Sequence, residues 1–221
     1  MKNTYTICIM LFFILKISAQ QESLTFGISG GTNWSSLTGK DIDNLSSDGS
    51  TKRAVGHSIG VTLDNKPSNY FGLKHELFYS RRVTTIRMED EINPAFDSKF
   101  KRQYIDLFPA SPTLYYKGFE VYVGPYLGLL LNASVQRKDE NGSTYTDKTI
   151  YGTGQATGDY SQKMDAGFVA GLNYALPNGI NIGARYIRGL VPILENSESK
   201  HQWKIYNESI FVTIGYKFNK K

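Results

Sequence analysis

Residues 119–131 alternate apolar and non-apolar positions over a longer run than a soluble strand ordinarily needs. Phe119, Val121, Val123, Pro125, Leu127, Leu129 and Leu131 form one unbroken apolar face. The opposite face, Glu120, Tyr122, Gly124, Tyr126, Gly128, Leu130 and Asn132, is mostly small, aromatic or polar. Period-two alternation puts different surroundings on the two sides of a strand. Soluble strands run to about five or six residues, whereas a tilted membrane-spanning strand takes roughly nine to eleven. The pattern predicts a membrane strand with lipid against its apolar face.

The same alternation recurs along the chain. Residues 24–34 carry it and end on Trp34, and residues 54–63 line up Val55, His57, Ile59, Val61 and Leu63. Residues 70–83 place Phe71, Leu73, His75, Leu77 and Tyr79 outward, with Gly72, Lys74, Glu76 and Ser80 inward. In the fourth strand, 103–116, Pro109 and Pro112 remove ladder donors and predict a bulge or local unpairing. Strands over 162–176, 180–190 and 206–218 bring the number to eight. Long polar connections (36–53, 84–102, 136–161 and 191–203) alternate with short ones at 64–69, Lys117-Gly118 and Pro177-Asn178-Gly179. An even strand count with short turns at one end and long loops at the other predicts an all-β fold. That fold is an eight-stranded antiparallel up-and-down transmembrane β-barrel with long outer loops and short periplasmic turns. Closure also leaves no exposed sheet edge. A soluble β-sandwich offers no reason for such alternation of loop length.

Composition is compatible with this picture. The chain has 221 residues, enough for one all-β domain, and its 40% hydrophobic content and mean hydropathy of −0.33 exclude a bundle of membrane helices. Fifteen Tyr and twelve Phe suit interfacial girdles. Lys2, the apolar run 7–15 and Ser18-Ala19 before Gln20 read as a secretory leader, giving a signal peptide over 1–19 and a barrel domain over 20–221. Without Lys2 and Lys16 the net charge of +5 becomes +3, too small and scattered for a nucleic-acid surface. Cys8, the one cysteine, lies inside the leader, so a mature protein without disulfides or thiol chemistry is expected.

Candidate chemistry is sparse. Lys74, Glu76, Asp106, Glu120, Asp165 and Arg185 fall on inward positions, and an eight-stranded barrel is just wide enough for side chains to fill. Charges so confined must pair, and Arg185 is expected to meet Glu76, Asp106, Glu120 or Asp165. Trp34, Tyr79, Tyr115, Tyr174, Tyr186, Tyr216 and Phe218 read as headgroup-level girdle. His57 and Ser58 are sequence neighbours and must face opposite ways; with His75 and His201 they make neither a nucleophile–base set nor a zinc site. Asp41, Asp43 and Asp48 sit in an acidic loop, where solvation is the ordinary reading and calcium the alternative. No catalytic, cofactor-binding or metal residue is assigned, and no cofactor is expected.

Several short motifs resemble one family. Gly27-Ile28-Ser29-Gly30-Gly31-Thr32-Asn33-Trp34-Ser35, Glu76-Leu77-Phe78-Tyr79-Ser80, Gly124-Pro125-Tyr126-Leu127-Gly128, Asp165-Ala166-Gly167 with Gly171, Gly183-Ala184-Arg185-Tyr186 and Gly215-Tyr216-Lys217-Phe218 look like the PorT-like outer-membrane β-barrel family of Bacteroidetes-type bacteria. The resemblance runs from about 24 to 218, with Pro112 and the long 136–161 loop as departures. It implies a place in the bacterial outer membrane and, through the family's namesake, a link to a protein-secretion system. The expected partners are the lipid bilayer, the barrel-assembly machinery during insertion (Tyr216 and Phe218 resemble its terminal aromatic signal) and envelope or secretion proteins. The expected role is structural or interactive and without catalysis. Ligand uptake and, behind it, lipid modification are the alternatives.

Overall fold

The computed structural model describes residues 23–89, 93–151, 159–196 and 202–218. The readings placed on the leader and on His201 lie outside the described residues. Among those described, the chain forms twelve strands: β1 (Ser23–Gly39), β2 (Thr51–Lys66), β3 (Phe71–Met88), β4 (Phe96–Tyr116), β5 (Phe119–Lys138), β6 (Thr144–Asp147), β7 (Asp159–Ser161), β8 (Met164–Ala175), β9 (Ile180–Gly189), β10 (Leu194–Asn196), β11 (Gln202–Trp203) and β12 (Ile205–Phe218). Eight of them close a ring in the order β1, β2, β3, β4, β5, β8, β9, β12 and back to β1, each antiparallel to its neighbours. The predicted up-and-down barrel is the fold.

Burial follows the alternation. Phe119, Val121, Val123, Leu127, Leu129 and Leu131 are exposed on the outside of β5, and Glu120, Tyr122, Tyr126 and Leu130 are buried within. A soluble protein would not leave such a belt uncovered; lipid is its solvent. Aromatic pairs mark the rim at the short-turn end, with Phe26 stacked on Phe218 at 5.9 Å between centroids and Phe119 against Tyr174 at 4.8 Å. The turn between β4 and β5 has only Lys117 (φ 48°) and Gly118 (φ 88°) at its centre. Both are left-handed, as the mirror-type hairpin turn requires.

The structure departs from the sequence reading in two ways. The first five strands extend beyond their expected outer ends: β3 continues to Met88, β4 begins at Phe96 and β5 reaches Lys138. Above the bilayer the outer face meets water, so apolar alternation stops while the hydrogen-bonded ladder continues. The second departure is at the prolines. β4 and β3 shift register between Lys74 and Glu76, and β4 leaves the β5 ladder between Leu107 and Thr113. This is the expected bulge, and it reverses the phase of everything after it. Tyr115 is therefore buried on the lumen side, with the Lys66 ammonium 4.5 Å from its ring, while Tyr116 takes the girdle position.

The bulge also explains a histidine on the lipid-facing wall. His75 Nδ1 contacts the Pro109 carbonyl, which the local unpairing would otherwise strand in hydrocarbon. Only an N–H can satisfy a carbonyl, so Nδ1 is the donor. Replacing His75 by Leu removes that donor, and a loss of about 1–3 kcal/mol in unfolding free energy is expected. Denaturant titration in lipid vesicles measures it, and His75→Gln should recover part of the loss.

Candidate functional site

The lumen is where the chain concentrates its chemistry. Ten charged side chains are buried there among the described residues: Lys74, Arg82, Arg102, Arg185 and Lys217 against Asp64, Glu76, Asp106, Glu120 and Asp165. Five cations face five carboxylates, and they sort into tiers along the barrel axis.

At the short-turn end, Lys74, Asp64, Lys217 and Glu120 alternate in sign around a closed ring. Lys74 Nζ lies 2.9 Å from both Asp64 Oδ1 and Glu120 Oε2. Lys217 Nζ lies 2.6 Å from Asp64 Oδ2 and also contacts Glu120 Oε1. The ring draws one member from each of β2, β3, β5 and β12, so it ties non-adjacent strands across the lumen. Above it Arg185 Nη1 reaches Glu76 Oε2 at 3.1 Å, one of the four carboxylates it is expected to meet. The Arg185 guanidinium also lies 3.9 Å from the centroid of Phe78, within cation–π range. Phe78, Phe108, Tyr122, Tyr126, Val169, Ile187 and Phe211 then fill the lumen with an apolar layer.

A second polar tier sits on that layer. Arg82 Nη2 is 2.7 Å from Asp106 Oδ1, and Arg82 Nη1 is 3.5 Å from Asp165 Oδ2. Ser80 Oγ donates to Asp106 at 2.5 Å, and Tyr126 Oη and Asn207 Nδ2 both donate to Asp165 at 2.6 Å. Arg102 has no carboxylate within pairing distance among the described residues. It donates to Thr84 Oγ1 at 2.6 Å and to Asn207 Oδ1, so Asn207 links its charge to Asp165. The outer mouth is roofed by a second apolar cluster that includes Leu37, Ile42, Ile86, Phe100, Ile150, Ile193 and Ile205. Its cover comes from the 3₁₀ turns Ile42–Asn44 and Thr149–Tyr151, with Trp203 of β11 packed against it.

The six charged positions expected inside all point inward. Asp64, Arg82, Arg102 and Lys217 complete the set and escaped the sequence reading. Lys217 was available from simple alternation, lying between the outward Tyr216 and Phe218, and Arg82 was available as the next even residue after Ser80. Alternation alone puts Asp64 in a turn and Arg102 in a loop, though both lie on strands.

The remaining candidates do not converge. His57 is exposed outside and Ser58 buried inside, so no hydrolase pair forms. Asp41 accepts the Lys204 amide at 2.8 Å and so ties the first outer loop to the last. Asp48 is held below its usual pKa by the Ser46 hydroxyl and then the Ser50 amide, two local bonds that organise its turn. No three His, Cys, Asp or Glu side chains of the described residues gather as a metal site.

Comparison with known proteins agrees with the architecture. The family model for the outer membrane protein beta-barrel domain matches residues 18–195. Among solved structures, the chain is similar to Neisserial surface protein A (15% identity, 87% of this chain and 97% of that one, TM-score 0.48). It is also similar to Ail, the attachment invasion locus protein of Yersinia pestis (13%, 89% and 99%, 0.44), and to OprG of Pseudomonas aeruginosa (15%, 90% and 98%, 0.34). No curated protein matches the chain. With a closed eight-stranded wall, a bare apolar belt and a family match over most of its length, the chain belongs to the outer membrane β-barrel family and resides in the bacterial outer membrane.

Proposed function

We propose that this protein is a plugged barrel that works through its surfaces, as a structural anchor and docking element for other envelope proteins, and neither conducts solutes nor catalyses a reaction. The observation that carries the reading is the filled lumen. An ion ring, an aromatic layer, a second ion network and an outer apolar roof succeed one another along the axis, leaving each charge partnered or hydrogen-bonded. A conduit needs polar groups facing water, and a catalyst needs an accessible reacting group. The outer loops, held on a rigid wall, are the natural carriers of binding. Kinship with PorT-like barrels, a place beside a secretion apparatus, leader removal at 1–19 and delivery by the barrel-assembly machinery belong to this same proposal.

Planar-bilayer recording tests it. The reconstituted barrel is expected to give no conductance steps, and reproducible ohmic steps would return the uptake reading to first place. Capture from the native membrane should recover a defined envelope partner, and exchanging the outer hairpin at 139–143 should abolish that recovery if the loops carry it.

A further inference from the structure

We propose that the outside wall of β2, β3 and β4 holds a phosphate-binding site for the phosphorylated glycolipid of the outer leaflet. The geometry begins with a second bulge. The β2–β3 register shifts between Ala54 and His57, so Val55 and Gly56 stand against a single residue of β3. Gly56 is required there, because a Cβ would lie 1.9 Å from the Arg81 carbonyl oxygen. Asn33 Nδ2 donates to that carbonyl at 3.2 Å and fixes the Arg81 backbone from inside the barrel. Outside, the bulge opens a groove of about 260 Å³ lined by Val55, His57, Arg81, Lys99, Lys101 and Gln136, among others.

Three cations converge on this groove without a carboxylate. Among the described residues, Arg81, Lys99 and Lys101 make no salt bridge, and the Arg81 Nε donor is buried with no acceptor. Their neighbours on the same rim are paired: Lys52 and Arg87 with Asp97, and Arg53 with Glu208. Unpaired cations side by side among paired neighbours set up a local positive potential that favours an anionic counter-ion. The height of the cluster identifies the counter-ion. On β3 the outward series Phe71, Leu73, His75, Leu77, Tyr79 ends and Arg81 is next; on β4 the series Leu107, Ile105 gives way to Gln103, Lys101 and Lys99. The cluster therefore stands one step beyond the apolar belt, at headgroup level. It lies at the end opposite the short turns, which is the outer leaflet. Basic side chains at that level attract anionic headgroups, and a guanidinium suits phosphate oxygens. Val55 beside the cations is well exposed and gives acyl chains an apolar approach.

The test uses the full barrel in detergent micelles, with lipid adducts read by native mass spectrometry. The probes are bisphosphorylated lipid A, its dephosphorylated form and inorganic phosphate. Lipid A with both phosphates should be retained, and Arg81→Gln, Lys99→Gln and Lys101→Gln together should weaken it about 100-fold. Dephosphorylated lipid should bind the native barrel no better than lipid A binds the triple variant, and millimolar inorganic phosphate should not displace lipid A. Undiminished lipid A binding by the triple variant would overturn the proposal. So would an equal loss in Lys52→Gln, which would mean diffuse attraction, or displacement by inorganic phosphate at the lipid's own concentration, which would mean a soluble-anion site. The heat-dependent gel shift of folded barrels verifies each variant, and Arg81→Gln alone, with about a tenfold loss expected, serves if the triple variant does not fold.

Discussion

Replacing Arg82 by Met is expected to destabilise the barrel by about 3–5 kcal/mol, the ordinary consequence of removing one partner from a buried ion network. Arg82 is fully buried, and among the described residues its guanidinium is the only one within pairing distance of Asp106 and Asp165. Without it two carboxylates face each other across the lumen, supported by Ser80, Tyr126 and Asn207 but with no cation on them. The loss should be absent or small when Asp106→Asn accompanies Arg82→Met, because the pair is then removed together and Asp165 is left to balance Arg102 through Asn207. Unfolding in urea from lipid vesicles, followed by tryptophan fluorescence, gives both values. A single variant as stable as the native barrel would mean that water reaches this tier and that the lumen is not sealed.

That experiment bears on how the barrel combines neutrality with closure. Each tier of the lumen balances its own charges: two lysines with Asp64 and Glu120, Arg185 with Glu76, two arginines with Asp106 and Asp165. The Arg82 tier is separated from the Arg185–Glu76 pair by the aromatic layer, with Phe211 within 5.9 Å of one guanidinium and 5.5 Å of the other, so neither arginine stands in for the other. Local balance is what allows ten ionisable groups to remain in a space too narrow for bulk water.

The sequence made the wall legible because lipid imposes a strict rule on every second residue. Val121, Val123, Leu127 and their counterparts on other strands could be placed on the outside with no further information, and an inward Arg185 meeting one of four inward carboxylates followed from that placement, though not which one. Two kinds of feature were not legible. Tyr115 changed sides because a bulge at Pro109 and Pro112 inserts one residue, and alternation cannot say on which side of a proline the count slips. The outer roof was hidden for a different reason. Ile42, Ile150 and Ile193 are single apolar residues in polar surroundings with no period between them, and only the folding of separate loops onto one mouth brings them together. Arg102 shares that difficulty, since the apolar face stops short of it and it reads as loop, although the strand continues.

The second large effect is expected at the aromatic layer. Phe211 is buried, 5.9 Å from the Arg82 guanidinium and 5.5 Å from that of Arg185, so one ring separates the two arginines. Phe211→Ala should lower stability by about 3–5 kcal/mol, as loss of a core phenylalanine does. Phe211→Leu keeps most of the volume and removes the ring face, so its smaller loss, expected below about 1.5 kcal/mol, isolates the cation–π share. Coupling to Arg82→Met should be measurable, on the order of 0.5–3 kcal/mol, because the two side chains are in contact range. Neither variant should conduct ions in planar bilayers. The Lys74–Asp64–Lys217–Glu120 ring lies on one side of the opening and the apolar roof on the other, and both remain in place when one ring between them is cut away. A stable, conducting Phe211→Ala barrel would show that this single layer is the gate, and that the ion ring below it is wet.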